Sequence, residues 1–376
     1  MSKRSDCLFI TVCSAVLILA SALLIFSDHE SFSEKENRAL ASAPTLSVRS
    51  FASGELLSRL SDFCADQFPL REYLTDVKAK CEIILGKREN NGVVITNRLL
   101  ADVCEYDGYC TAEANLAALE SYAKIIDTEI TLLCAPRSID VNSSTLGIDN
   151  SFSRDKLYST ISSDSLRQIE LLPALRAVQE RDGKAWYSTD HHWSTHGAYV
   201  AYRALMEEWG IEAYGKDFFN IDAVNHGFLG TTYSKSGISE YTPDTVFLYR
   251  YEGDGEFLVE YIDENESSLG FYDFDKLRTK DKYSVFLGGN FARLRIRQGE
   301  SRPRLLLIKD SFANSVIPFL ALHFDIDVID PRYIGEPIEN IVDANEYERI
   351  LVLCGADTLA TDARFGKWIK SKTASR

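Results

Sequence analysis

The sequence predicts an α/β protein built on a mainly parallel sheet, and two groups of segments carry that expectation. Near the C-terminus, "PRLLLIKDSFANSVIPFLALHF" reads as strand, turn and helix, "DIDVIDPRY" as a second strand, and "YERILVLCG" as a third before a last helix. Upstream, "EITLLCAPRSID" has the same unbroken apolar run and follows a helical stretch at about 112–126. Strands that are apolar on both faces and alternate with helices belong to parallel sheets covered on two sides. A content of 45% hydrophobic and 11% aromatic residues over 376 positions supplies a large core and excludes wholesale disorder.

In chain order, residues 7–26, "CLFITVCSAVLILASALLIF", are twenty uncharged positions behind Lys3 and Arg4. That length spans a bilayer, and the basic flank predicts a cytoplasmic N-terminus with the remainder outside. A cleaved signal peptide is the competing reading. The run is longer than a usual signal core and has no clear small-x-small cleavage site, which favours an uncleaved anchor over residues 1–27. Residues 28–48 are polar and read as a tether. From 49 onward the chain reads as one extracytoplasmic domain. It opens with one or two helices over 49–86, then the strand "NNGVVIT", and a further helix falls at about 163–181. The segment "HGAYVAYRALMEEWG" is a helix that Ser194 or Thr195 can cap and that stops at Gly210. Residues from about 215 to 300 are rich in Gly, Tyr and Asp and read as an irregular β-containing insertion.

A net charge of −15 without any Lys/Arg-rich run excludes nucleic acid as a main partner. Eight cysteines include no C-x-x-C pair, which argues against a zinc knuckle. Cys104 with Cys110, and Cys64 with Cys81, are possible disulfides, whereas Cys134 and Cys354 lie in apolar runs and read as buried small hydrophobes.

Two segments carry candidate chemistry. Ser311 in "LLLIKDSFANS" follows a buried strand and opens a helix, where free N–H groups can stabilise a developing oxyanion. A serine in that position is either a nucleophile or a simple helix cap. In "STDHHWSTHGAY", residues 188–199, three of the six histidines fall within six positions. In Asp190-x-His192, alternate side chains of an extended segment point the same way, so the carboxylate can hold one ring nitrogen while the other faces Ser311. His191 alternates away and reads as structural, and Trp193 reads as a core residue fixing the loop. A metal alternative groups His192, His196 and Asp190 or His226. It is disfavoured because His192 precedes the helix and no Glu occupies the H-E-x-x-H position, so no metal is assigned. Arg137, Arg332 and Tyr333 follow strands and are candidate substrate contacts, and Asn314 and Gly230 are candidate oxyanion contacts.

"STDHHWSTHGAYVAY" and "IKDSFANSVIPFLALHF" together resemble the DHHW family, which is related to the AlgX/AlgJ-type proteins of alginate O-acetylation. "ENRAL", "DQFPLR" and "LGKRENNGVVITNRLL" fall where such proteins carry similar stretches. The resemblance implies a three-layer α/β/α SGNH-hydrolase-like domain with Ser311 as nucleophile, His192 as general base and acid, and Asp190 as its orienting carboxylate. Lys309 stands where ordinary SGNH enzymes often have glycine. The implied function is an extracytoplasmic O-acyltransferase, in particular an O-acetyltransferase, acting on a cell-surface or secreted polysaccharide without a bound cofactor. Its implied partner is a membrane-bound acyl-donor protein of the MBOAT type. Two alternatives stay open: an esterase with the same triad, and a non-catalytic glycan-binding component of a polysaccharide assembly complex.

Overall fold

A computed structural model describes residues 3–33, 35, 38–103, 110–146, 165–299 and 301–369. The chain forms two compact units, Met1–Asn91 with Tyr233–Tyr241, and Gly92–Thr232 with Thr242–Arg376.

The first unit is helical. α1 (Lys3–Phe26) contains the apolar stretch Cys7–Phe26, with mean hydropathy 2.7, and is long and apolar enough to cross a membrane. Three further helices follow: α2 (Val48–Ala52), α3 (Glu55–Asp66) and α4 (Arg71–Ile84). The polar stretch between α1 and α2 is bonded to α3 and its C-cap. Arg38 donates from two nitrogens to Asp66 at 2.9 and 2.5 Å, and Gln67 donates to the carbonyls of Glu30 and Ala41. Arg38 is the main reason that the Asp66 carboxyl drops to a pKa of about 2, and it outweighs the opposing effect of burial. Cys64 and Cys81 are free thiols rather than a disulfide, because Cys81 lies on the exposed side of α4. Cys110, the described half of the possible Cys104–Cys110 bridge, is likewise a free, exposed thiol, and Cys104 lies outside the described residues.

The second unit is organised by an eight-stranded sheet. In chain order its strands are β1 (Ile130–Ala135), β2 (Leu166–Gln168), β3 (Leu258–Tyr261), β4 (Glu266–Leu269), β5 (Arg293–Arg297), β6 (Arg304–Lys309), β7 (Asp325–Ile329) and β8 (Arg349–Gly355). Their order across the sheet is β4-β3-β5-β7-β6-β8-β1-β2. β7, β6, β8, β1 and β2 run parallel, while β5, β3 and β4 extend the sheet antiparallel from β7. The region read as an irregular insertion therefore supplies three strands of the main sheet. Its remaining strand pair, Asn220–Phe228 with Asp244–Arg250, stands apart as a bulged hairpin.

Alternation along β6 makes the three layers. Leu305 and Leu307 enter one core with α5 (Thr195–Glu208), while Leu306 and Ile308 enter the opposite core with the helices Cys110–Ile126 and Ala363–Ile369. Cys134 and Cys354 pair in register on β1 and β8 and are fully buried, as their apolar surroundings predict. The helix expected at about 163–181 begins only at Leu172, because Leu166–Gln168 pair with β1 as an edge strand. Pro173 fits the first turn, and the Glu170 carboxylate accepts from the Leu172 N–H at 2.9 Å.

Candidate active site

The carboxyl ends of β6, β7, β8 and β1 lie along one edge of the sheet, where open α/β sheets bind ligands. Asp310, Ser311 and Asn314 follow β6, Asp330 and Arg332 follow β7, Gly355 ends β8, and Arg137 follows β1. Ser311 opens a five-residue 3-10 turn, Ser311–Ser315, whose cap is Asp310. One Asp310 oxygen accepts from the Phe312 N–H at 2.9 Å and the other from the Gly355 N–H at 2.7 Å, tying the turn to β8. Asp310 thus does the capping, and the Ser311 hydroxyl is left for other bonds.

Those bonds come from the segment ahead of α5. Trp186 and Trp193 form an antiparallel bridge that folds residues 185–194 into a narrow hairpin. Ser194 closes it and caps α5, its side chain accepting from the His196 and Gly197 N–H groups. Residues 188–192 form a bend rather than the expected extended run. One Asp190 oxygen accepts both the backbone N–H of His192 at 3.2 Å and its ring Nδ1–H at 2.6 Å, a self-bonded turn typical of aspartate. The other accepts the N–H and hydroxyl of Thr231 at 2.7 and 2.8 Å. His192 Nε2 then accepts from the Ser311 hydroxyl at 2.8 Å. Asp190, His192 and Ser311 are 2%, 5% and 9% exposed, so this chain of bonds is shielded from water.

The electrostatics fit an oriented base. Burial alone would raise the Asp190 pKa, but the charges of His191 and His192, with the hydrogen bonds from the His192 ring and the Thr231 N–H, hold it well below the usual carboxylate range. An ionised Asp190 only accepts, so the proton sits on His192 Nδ1 and Nε2 is free to take one from Ser311. Burial, and then the charge of His191, press the His192 pKa below its ordinary 6.5 against the opposing pull of Asp190. A base neutral already in weakly acidic solution gives a kcat/KM profile that rises with pH to a plateau and has its midpoint below 6.5. Measured with a chromogenic ester, a midpoint above 7 would contradict this environment.

Several supporting residues carried no signal in the sequence. Tyr283 lies flat on the His192 ring, with centroids 3.9 Å apart and planes 9° from parallel, and its hydroxyl donates to the Ser311 carbonyl at 3.0 Å. Asp244 accepts the N–H groups of Ser188 and Thr189 at 2.9 and 2.8 Å and so holds the bend. Trp193 is fully buried, as expected, and its Nε1–H reaches the Phe312 carbonyl and Ser315, joining the histidine loop to the serine turn.

The other candidates serve different ends. The Asn314 amide is not turned to an oxyanion. Its oxygen accepts from Lys309 at 2.8 Å and its nitrogen donates to Gly289 and Asn290, because the buried Lys309 ammonium needs acceptors. The Gly230 N–H goes to Thr189, and a Cβ at that position would lie 2.3 Å from the Asp190 Cβ, so this glycine makes room for the carboxylate. Arg137 is buried beside Asp140, at 3.5 Å. Arg332 forms a two-pronged pair with Asp330 at 2.8 and 2.6 Å, while Tyr333 is 56% exposed. Of the metal alternative, His196 binds the Tyr249 hydroxyl and His226 faces Thr245, so neither joins Asp190 and His192. Among the described residues, Asp190, His191 and His192 do bring ligand-type atoms within 4.8 Å of one another. Asp190 and His192 already bond to each other, and His191 Nδ1 bonds to the Thr231 hydroxyl at 2.6 Å.

Lys309 and Asp330 form a buried pair at 3.5 Å beneath the serine turn, with both side chains inaccessible. Asp330→Ala would leave the Lys309 and Arg332 charges uncompensated there. It is expected to cost about 3–5 kcal/mol in denaturant unfolding. A loss below about 1 kcal/mol would contradict the role of this pair in bracing the turn.

A model of the DHHW protein family matches residues 107–329, more than half of the chain, and the chain belongs to that family. No curated protein sequence matches it significantly. Among solved structures, it is similar to a DHHW family protein from Eubacterium siraeum, with a TM-score of 0.61, 18% identity and coverage of 74% of this chain and 95% of that one. It is also similar to Bacillus cereus PatB1, with a TM-score of 0.61, 16% identity and coverage of 72% and 98%. PatB1 carrying a sulfonyl adduct matches with a TM-score of 0.59, 15% identity and coverage of 72% and 97%. At these identities the likeness is one of fold.

Proposed function

We propose that the chain is a serine-dependent O-acyltransferase, in particular an O-acetyltransferase, that modifies a cell-surface or secreted polysaccharide on the outer side of the membrane. The observation that carries this reading is the continuous hydrogen-bonded chain Asp190–His192–Ser311, assembled from segments 119 positions apart. In the first half-reaction Ser311 Oγ attacks the acyl carbonyl carbon while its proton passes to His192 Nε2. The tetrahedral intermediate collapses, the bond to the donor's leaving oxygen or sulfur breaks, and that atom takes the proton from His192. In the second half, a sugar hydroxyl gives its proton to His192 and attacks acyl-Ser311, and Ser311 recovers a proton as the ester leaves. The N–H of Ser311 opens the 3-10 turn and has no acceptor within it, which makes it the oxyanion donor we assign.

α1 serves in this reading as an uncleaved anchor, with residues after about 27 outside. The motif resemblance to the AlgX/AlgJ group supports a polysaccharide acceptor and an acyl donor relayed by an MBOAT-type membrane protein. The discriminating experiment supplies the purified chain with an activated acetyl ester and a panel of oligosaccharides. Acetylated sugar is the expected product. Free acetate alone, unaffected by any acceptor, would identify a hydrolase instead. Glycan binding unchanged by Ser311→Ala, with no acetyl chemistry at all, would identify a binding component.

A further inference from the structure

α4 is turned inside out for a helix of a water-soluble protein. Three of its six charged residues bond to earlier parts of its own unit: Glu72 accepts from Ser33 at 3.3 Å, Asp76 pairs with Lys35, and Arg71 lies 3.9 Å from Asp66. Ala79 is the one buried side chain on it. Its apolar residues face outward, with Leu70 at its N-cap 74%, Tyr73 64%, Leu74 46%, Val77 41% and Ile84 82% exposed. At about 100° per residue these five share a single stripe, and Lys78 and Lys80 fall about 80° to either side of its centre. Both lysines are more than half exposed.

The stripe begins where α1 leaves off. His29 bonds to the Leu24 carbonyl at 2.8 Å and packs edge-on against Phe63 at 4.9 Å. Leu23 and Ser27 share with Phe68, Leu70 and Tyr73 the walls of a cleft of about 990 Å³. The apolar face is thus continuous with the end of the only segment among the described residues long enough to span a bilayer. A helix with one apolar stripe, an aromatic residue within it and lysines along both margins is built to lie in the plane of a bilayer surface. Its apolar side chains enter the acyl boundary while the lysine stems reach back to the headgroups. α4 is also neutral, with three basic and three acidic residues in a chain of net charge −15, so the approach is not opposed by charge.

We infer that α4 is a second membrane contact, a helix lying in the interface of the bilayer that α1 spans. That α4 is the second contact rests on α1 being retained as an anchor, whereas its own contact with lipid does not. It is tested with the full chain in phosphatidylcholine–phosphatidylglycerol vesicles, part of whose lipid carries brominated acyl chains. Tryptophan is introduced by Tyr73→Trp, with Asp275→Trp, at an 86% exposed side chain, as the reference site. Added emission from position 73 is expected to be quenched by bromolipid at least about twofold more than that from position 275, and Val77→Glu is expected to remove the difference. Equal quenching of both sites by aqueous acrylamide, with none by bromolipid, would overturn the inference. So would a position 73 shielded from both quenchers, since protein would then cover the stripe. The mass of the vesicle-bound chain separates the two readings. A chain lacking its first 26 residues that still shows bromolipid quenching removes the anchor and keeps the interfacial helix. An intact chain without quenching removes the interfacial helix alone.

Discussion

Ser311→Ala is expected to lower kcat/KM for acetyl transfer by about 10⁴–10⁶-fold while leaving the fold intact. The large effect follows from the loss of the only atom that can carry the acyl group. The small structural effect follows from what else the hydroxyl does. Its one hydrogen bond to another side chain is to His192 Nε2, whereas the turn is held by Asp310, Tyr283 and Trp193. Leaving one buried acceptor unpaired costs about 1–3 kcal/mol. The check is activity alongside a thermal melt. A variant that melts within a few degrees of the parent and keeps more than a few per cent of its activity would exclude Ser311 as the nucleophile.

Asp190→Asn is the second change of large expected effect, about 10³–10⁴-fold in kcat/KM. The carboxylate accepts from four donors: the N–H and ring Nδ1–H of His192, and the N–H and hydroxyl of Thr231. An asparagine has one acceptor oxygen. Whichever way its amide turns, an NH₂ group meets donors that need an acceptor. If it faces the ring, Nδ1 becomes the acceptor and the proton moves to Nε2, where it points at Ser311 and blocks proton removal. Loss of the negative charge also removes the stabilisation of the imidazolium formed during transfer. A variant retaining a tenth or more of the parent activity would show that Asp190 does not orient the base.

The convergence of Asp190, His192 and Ser311 was legible in the sequence because each half of it is local. Ser311 follows an apolar strand, a position that chain direction alone puts at the ligand-binding edge of a parallel sheet. Asp190 and His192 are two residues apart, close enough to bond however the backbone bends. The mode of closeness was not legible. An extended segment was expected, but the aspartate folds the backbone by bonding to the N–H of His192 as well as its ring. Tyr283, Asp244 and Thr231 carried no signal because they reach the site from a 3-10 turn, a strand start and a helix start far along the chain, in a region whose short strands read as irregular. Asn314 and Gly230 were placed near the right elements but given the wrong work. A buried lysine at position 309 claims the amide, and the bulk of Asp190 requires the glycine. The helical periodicity of α4 was visible as well, but nothing in a periodicity says which side of a helix meets the protein.

The proposed acyl transfer requires an acyl group to reside on Ser311. The purified chain is incubated with an activated acetyl ester, quenched in acid and digested, and its peptides are weighed. A single acetyl ester on the peptide containing Ser311 is the expected result. It should be absent in Ser311→Ala, strongly reduced in His192→Ala, and blocked by prior treatment with a sulfonyl fluoride. An acetyl group found on a different residue, or acetyl transfer to an oligosaccharide undiminished by Ser311→Ala, would contradict the mechanism.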